Sequence, residues 1–367
     1  MKKIIIAFTC IIVSAWFFAA CDTEPEVLTI QKSLQWPDKG EEYYANLRAW
    51  KATRPEFGFG WFSGSTGKAA LQGRMRNIPD SIGIISIWGG FHPETDPVQA
   101  EEFYHYQTVC GTKIIRTYLL ESSFPLEKDG SKTELEMMKD QWGWDDGALR
   151  PLDRSVAVTP AQEEAIRKYA RSIAEPIIAG GYDGVDIDHE PNVGGGVKPY
   201  VLGGYWNRMA IFFNELSKYF GLQSGTGRIL AIDGEYSAYI LPEVGYYLDY
   251  VIAQAYNCTA YSNLDTRINT LYNAFPDIPK DELAAKFIVA ENFESYAGAG
   301  GNTAYRTRDG QTIPSAIGMA IWKPLINGEE VRKGGAGTYH MEYEYNIFQD
   351  YKYLRQMINI MGQAIDN

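Results

Sequence analysis

Apolar and polar positions change their period repeatedly along the chain. Near-continuous runs of β-branched, apolar and aromatic residues occupy 57–63, 82–88, 113–119, 182–190, 228–233, 250–257, 286–293 and 316–322. Runs of this length, several without strict alternation, predict strands buried on both faces. The intervening segments read as helices or loops. In the clearest, Ile166, Tyr169, Ala170, Ile173 and Ile177 recur at helical spacing. Thr159 and Pro160 supply a cap and a proline at the first helical position, Gln162 completes a capping box, and Gly180-Gly181 ends the segment. A short leading helix is expected from Glu41 to Trp50 and a long closing one over 343–361. Alternation of strands and helices points to a parallel α/β sheet, and eight strands fit a closed (β/α)8 TIM barrel. No internal repeat or low-complexity linker divides the chain, so one barrel domain is expected over 51–367, behind a tether and leading helix at 21–50.

The first 20 residues do not share this pattern. Lys2 and Lys3 precede an almost wholly apolar stretch over 4–20. It is shorter than the ~20 residues of a membrane span and reads as a cleaved signal peptide. Phe18-Ala19-Ala20-Cys21 resembles a bacterial lipobox, which implies cleavage before Cys21 and a lipid on its thiol. Asp22-Thr23-Glu24-Pro25-Glu26 resembles the acidic tether of surface-exposed lipoproteins in Bacteroidetes-like bacteria. The implied location is the outer surface of the outer membrane, held by the lipid alone.

Composition narrows the partners. The net charge is -12, and loss of Lys2 and Lys3 makes it more negative. Such a surface disfavours nucleic acid and anionic membrane as main partners. Aromatic residues make up 14% of the chain, which suits sugar faces but also a large core. Beyond Cys10 and Cys21, the cysteines are Cys110 and Cys258, too far apart for a zinc motif or a disulfide framework, and both read as buried fillers. The histidines, His92, His105, His189 and His340, form no paired-ligand motif, so no metal or other cofactor is expected. Two long insertions follow the third and fourth strands. The first, 121–157, carries Trp142, Trp144, Asp145 and Asp146; the second, 191–204, is glycine-rich. Both are expected on the C-terminal face, where barrels build their sites.

The segment from Asp183 to Glu190 carries the chemistry. It reads Asp-Gly-Val-Asp-Ile-Asp-His-Glu. On a strand, Asp186, Asp188 and Glu190 share one face and Val185, Ile187 and His189 the other. The three carboxylates then stack at ~7 Å intervals inside the barrel mouth. Like charges in a poorly solvated space raise one another's pKa, which suits a general acid and destabilises a purely structural strand. Asp183 has the opposite parity, and a structural role is expected for it.

This octet resembles the DGxDxDxE signature of glycoside hydrolase family 18, the chitinases and endo-β-N-acetylglucosaminidases. The resemblance implies that Glu190 is the general acid/base, that Asp188 supports the substrate's N-acetyl group, and that Asp186 shares a proton with Asp188. Gln254-Ala255-Tyr256-Asn257 resembles the element ending the family's sixth strand. There the Tyr256 hydroxyl would bind the N-acetyl oxygen, with Gln254 and Asn257 contacting substrate. Trp322, ending the expected eighth strand, resembles the tryptophan forming the floor beneath the cleaved sugar. Ser86-Ile87-Trp88-Gly89-Gly90 is similar to the family's SxGG element but lies on the expected second strand rather than the third, so no role is carried over.

Family members of this kind use the substrate's own N-acetyl group as nucleophile, an exception to the two-carboxylate scheme. Gln254 and Asn257 resemble the endoglycosidases that cut the di-N-acetylchitobiose core of N-glycans more than the chitinases, which usually carry Met-x-Tyr-Asp there. An endo-β-N-acetylglucosaminidase acting on N-glycans is therefore the first expectation. A chitinase is the nearest rival, and a non-catalytic glycan-binding barrel the rival from another class; retention of Asp188 and Glu190 weighs against the latter.

Overall fold

The runs richest in β-branched and aromatic residues form the wall of a barrel. A computed structural model of the chain describes residues 39–64, 71–120, 124–145, 149–151, 153–193 and 202–362. The leader expected over 1–20, Cys21, Asp146 and the glycine-rich segment 194–201 lie outside the described residues. Residues Gly40–Asn367 pack as one unit. Its strands are β1 (Phe57–Ser63), β2 (Ile84–Gly89), β3 (Lys113–Leu119), β4 (Gly184–His189), β5 (Ile229–Gly234), β6 (Tyr250–Gln254), β7 (Phe287–Asn292) and β8 (Gly335–Tyr339). All neighbours are parallel and the sheet closes in the order β1-β8-β7-β6-β5-β4-β3-β2. This is the expected (β/α)8 barrel.

The eighth strand is not where the apolar pattern placed it. Residues 316–322 belong to a helix, Ser315–Ile321, whose Ala316, Gly318, Met319 and Ala320 are buried. A short apolar run does not by itself distinguish a buried strand from a buried helix. The true β8 reads Gly-Ala-Gly-Thr-Tyr and carries glycine where a strand pattern requires side chains. The reason is steric. Gly335 pairs with Phe57 and Gly337 with Phe59 across the closing seam. A Cβ on Gly337 would stand 2.0 Å from the Phe59 carbonyl oxygen, and one on Gly335 would stand 2.3 Å from that of Phe57.

Inside the barrel Phe59, Trp61, Ile115, Ala231, Ile252 and Ile288 form the core, and Phe57 meets Tyr250 edge-on at 5.2 Å. Outside it lies a layer of helices that includes α1 (Gly40–Ala52), α2 (Pro97–Tyr104), α3 (Glu134–Trp142), α4 (Pro160–Ala179), α5 (Trp206–Leu216), α6 (Tyr261–Ala274), α7 (Lys280–Lys286), α8 (Ser315–Ile321) and α9 (Lys352–Gly362). Helix α4 begins as its sequence predicts. The Thr159 hydroxyl accepts from the Gln162 amide, and the Gln162 side chain accepts from the Thr159 amide. Its buried Ile166, Ile173 and Ile177 face the barrel and α5, each contributing roughly 1.5–3 kcal/mol over exposure. The closing helix is shorter than expected: 343–361 divides into a turn at Glu342–Tyr345 and α9. Tyr351, with φ of 55°, cannot continue a right-handed helix. Trp144 in the first insertion is wholly buried beneath the Arg208 guanidinium, and Trp142 packs edge-on against Tyr169 of α4. Both are packing residues. Among the described residues no helix is long and apolar enough to cross a membrane.

Candidate active site

Strand alternation sets the orientation of the acid ladder. Val185 and Ile187 are buried against the helices, and His189 on the same face pairs its Nε2 with the Ala238 carbonyl at 2.7 Å. Burial pushes His189 down to about 4, which keeps it neutral. Asp186 and Asp188 point inward, and Glu190 follows just beyond the strand's C-terminal end. Asp183, of opposite parity, accepts from the Ile114 amide and Gln107 Nε2 and pairs with Lys113 at 3.1 Å. It tethers β4 to the start of β3.

Asp186 is the deepest of the acids and is fully buried. It accepts from Trp61 Nε1 and from Ser86 Oγ, each at 2.9 Å. Ser86 Oγ in turn lies 2.7 Å from Thr117 Oγ1, so β1, β2 and β3 all converge on this carboxyl. Burial, with the neighbouring Asp188 charge, raises it to about 7. Its second oxygen has no protein partner among the described residues.

Asp188 pairs in register with Asp233 of β5, and the two carboxyls share a hydrogen bond. Such a bond needs a proton on one of them. Burial, followed by the charges of Asp186 and Asp188, pushes Asp233 well above the ordinary carboxyl range, so Asp233 holds the proton and donates it to Asp188. The sequence reading placed the shared proton between Asp186 and Asp188; the hydrogen bond is instead with Asp233. Gln254, ending β6, reaches both functional acids. Its Nε2 lies 3.4 Å from Asp188 Oδ1 and its side chain also bonds Glu190. Glu190 is only partly buried, and burial first, then the Asp188 and Glu235 charges, raise its pKa.

These groups open into a cavity of about 240 Å³ lined by Trp61, Trp88, Leu119, Tyr256 and Tyr339, with Asp188, Asp233 and Glu190 on one side. Tyr256 stacks on Tyr339 at 5.8 Å and 26°, and burial drives its phenol upward, so it stays a neutral hydrogen-bond donor. Trp88 and Leu119 are exposed at the rim. The cleft thus offers one accessible acid whose pKa is raised, a hydrogen-bonded acid pair beside it, a phenol and aromatic walls. That set can protonate a leaving-group oxygen and steady an adjacent positive charge.

Of the other residues named from sequence, Trp322 lies away from the cleft and Asn257 stands beside it. Trp322 does not end a barrel strand. It caps α8 in the helix layer, where its Nε1 donates to Asp265 Oδ1 at 2.9 Å and its ring meets Phe287 on the outer face of β7. It is no part of the cleft; the aromatic residue at the C-terminal end of β8 is Tyr339. Asn257 sits in a left-handed turn at φ 55°. Its amide donates to the buried Glu291, and its side-chain oxygen accepts from Asn302 Nδ2, both at 2.7 Å. It lines a hollow of about 600 Å³ that adjoins the acid cleft, Tyr256 lining both.

Asp233, Trp61, Ser86 and Tyr339 carry no assignment from sequence. Asp233 was within reach: it is the acid ending the apolar run of β5, with the parity of the interior residues Ile229 and Ala231. Among the described residues the one mixed metal-ligand group, Asp80, His105 and Cys110, is separate from the cleft.

The chain was compared with known proteins. A model of glycoside hydrolase family 18, BT1044-like, matches residues 22–360. No functionally curated protein sequence matches. A structure of selenomethionine BT1044 with a glutamate-to-glutamine substitution is 26% identical, with a TM-score of 0.69 over 88% of this chain and 93% of that one. The apo endo-β-N-acetylglucosaminidase of Cordyceps militaris is 18% identical, with a TM-score of 0.56 over 87% of this chain and 95% of that one. A double variant of that fungal enzyme, in complex with fucosyl-N-acetylglucosamine-Asn, is also 18% identical, with a TM-score of 0.53 over the same shares. The two fungal structures are likenesses of fold. The match over nearly the whole barrel carries the assignment: the chain belongs to glycoside hydrolase family 18, in its BT1044-like group, a membership that supports a glycosidase.

Proposed function

We propose that the chain is an endo-β-N-acetylglucosaminidase that hydrolyses the di-N-acetylchitobiose core of N-glycans with retention of configuration. The observation that carries this reading is the division of labour among the acids. Glu190 is reachable from solvent with a raised pKa, whereas Asp188 is engaged by Asp233 and Gln254. A carboxylate held in this way is a poor free nucleophile and a good electrostatic support, which fits attack by the substrate's own acetamido oxygen. As that oxygen bonds to the anomeric carbon, the glycosidic bond breaks and Glu190 gives its proton to the departing oxygen. Asp188 steadies the positive charge on the acetamido nitrogen, and Tyr256 holds the acetamido oxygen in line. The proton on Asp233 lets three buried acids coexist without three charges, with Asp186 fixed beneath them by Trp61 and Ser86. Water then attacks the anomeric carbon from the vacated side, Glu190 takes up its proton, and the oxazolinium ring reopens. Positioning and charge stabilisation of this kind supply several kcal/mol of barrier reduction.

Gln254 and the fungal endoglycosidase fold support the N-glycan substrate over chitin. The reading also includes Cys21 as a lipid-bearing residue that holds the barrel on the cell surface, on the strength of the segment around it. Mass spectrometry of native and denatured N-glycoproteins incubated with the protein tests the activity. The expected products are a protein keeping a single N-acetylglucosamine and a glycan ending in the other. Release of oligosaccharides from chitin alone, or glycan binding without cleavage, overturns it.

A further inference from the structure

We propose that Asp80, His105 and Cys110 form a zinc site at the end of the barrel opposite the acid cleft. Asp80 stands just before β2 and Cys110 just before β3, so both lie at the N-terminal ends of strands whose C-terminal ends frame the cavity. Each residue offers one ligand atom, and the three atoms lie within 4.8 Å of one another. His105 and Cys110 are buried and Asp80 partly so.

Local backbone geometry brings the ligands together. His105 and Cys110 are five residues apart, which in an α-helix places side chains about 140° apart around the axis. Here helix α2 runs into a π-helical turn, His105–Val109, and the Cys110 amide donates to the His105 carbonyl at 2.9 Å. The wider turn brings residues five apart onto one face. Such turns are rare and are frequent at functional sites. The edge of the Tyr44 ring meets the imidazole at 5.5 Å and 88°, so α1 covers the group. Sequence spacing does not reveal the site, because its third ligand comes from a separate turn.

Imidazole, thiolate and carboxylate are zinc's ordinary ligands. Tetrahedral zinc holds such atoms roughly 3.3–3.7 Å apart, so binding draws the three groups together by about 1 Å and leaves a fourth position for water. Binding also releases the Cys110 proton to solvent. Lys51 supplies the competing arrangement. Its Nζ donates to Thr112 Oγ1 at 2.6 Å, and its charge acts on both Asp80 and Cys110. Without a metal, that cation stands beside the same two groups.

Cobalt titration of the chelator-stripped protein separates the two arrangements. The expected result is one equivalent bound with a thiolate-to-cobalt charge-transfer band, which Cys110→Ser abolishes while Cys258→Ser and Glu190→Gln keep it. Zinc should raise the melting temperature of the unsubstituted protein by several degrees and leave Cys110→Ser unmoved. Asp80→Asn, a partly exposed and conservative change, keeps the fold testable if Cys110→Ser unfolds; it should weaken cobalt binding at least tenfold. A cobalt complex lacking the thiolate band overturns the proposal. So does an equal zinc response in Cys110→Ser, or no metal response in the unsubstituted protein.

Discussion

At the scale of single residues, the acid ladder was legible because strand alternation is a rigid rule. An acid at every second position from Asp186 to Glu190, with Val185, Ile187 and His189 between, fixes which groups meet in the barrel. Asp233 was not read because a single acid ending an apolar run has no pattern of its own; only register beside Asp188 gives it meaning. Trp322 was misplaced because its role depended on a strand that is a helix. Two outcomes follow from the acids. Glu190→Gln removes the proton donor and almost no volume, so turnover should fall about 10²–10⁴-fold while glycan binding persists. Steady-state rates beside calorimetric binding measure this, and more than a tenth of the original rate remaining would place the acid elsewhere. Asp186 tests the buried cluster. An acid whose folded pKa is raised stabilises the fold fully only below its unfolded value, and that contribution drains away as pH rises towards about 7. Asp186→Asn has no such proton to lose. Its stability relative to the unsubstituted protein should therefore rise between about pH 4 and pH 7 and level off above. Urea denaturation across that range reads the difference directly, and a flat difference would mean Asp186 titrates normally.

At the scale of elements, helix α4 was read correctly from its cap to its end because local chemistry fixes both. The strand β8 was invisible for the opposite reason: its composition answers to a neighbour, not to itself. The backbone carbonyls of Phe57 and Phe59 stand where a Cβ would go, so Gly335 and Gly337 cannot carry side chains without moving the seam. Hydrophobic pattern counts side chains and misses a strand defined by their absence. Gly337→Ala should consequently destabilise the barrel by about 1–3 kcal/mol, the range for forcing atoms into a packed interior. Denaturant unfolding monitored by tryptophan fluorescence gives the value. A change below about 0.5 kcal/mol, the size typical of inconsequential substitutions, would show that the seam relaxes without strain.

At the scale of the whole molecule, a net charge of -12 gives the chain no electrostatic attraction to an anionic membrane, so the proposed surface location rests on Cys21 alone. Cys21→Ala removes the proposed lipid attachment. Fractionation of expressing cells should find the variant in the soluble fraction with its glycosidase activity intact; retention in membranes with the leader cleaved would discard the anchor. The closed seam has a further consequence, in time rather than space. β1 and β8 lie at nearly opposite ends of the described chain yet must pair. Contacts so distant in sequence form late and slowly, since the entropy of closing the loop is lost before the pairing rewards it. Tyr339, one wall of the cleft, arrives on that last strand. During synthesis, the emerging polypeptide can therefore carry every carboxylate of the ladder and still lack a finished cleft. The cleft is completed only with the final act of folding, after β1 and β7 have spent the interval as open edges.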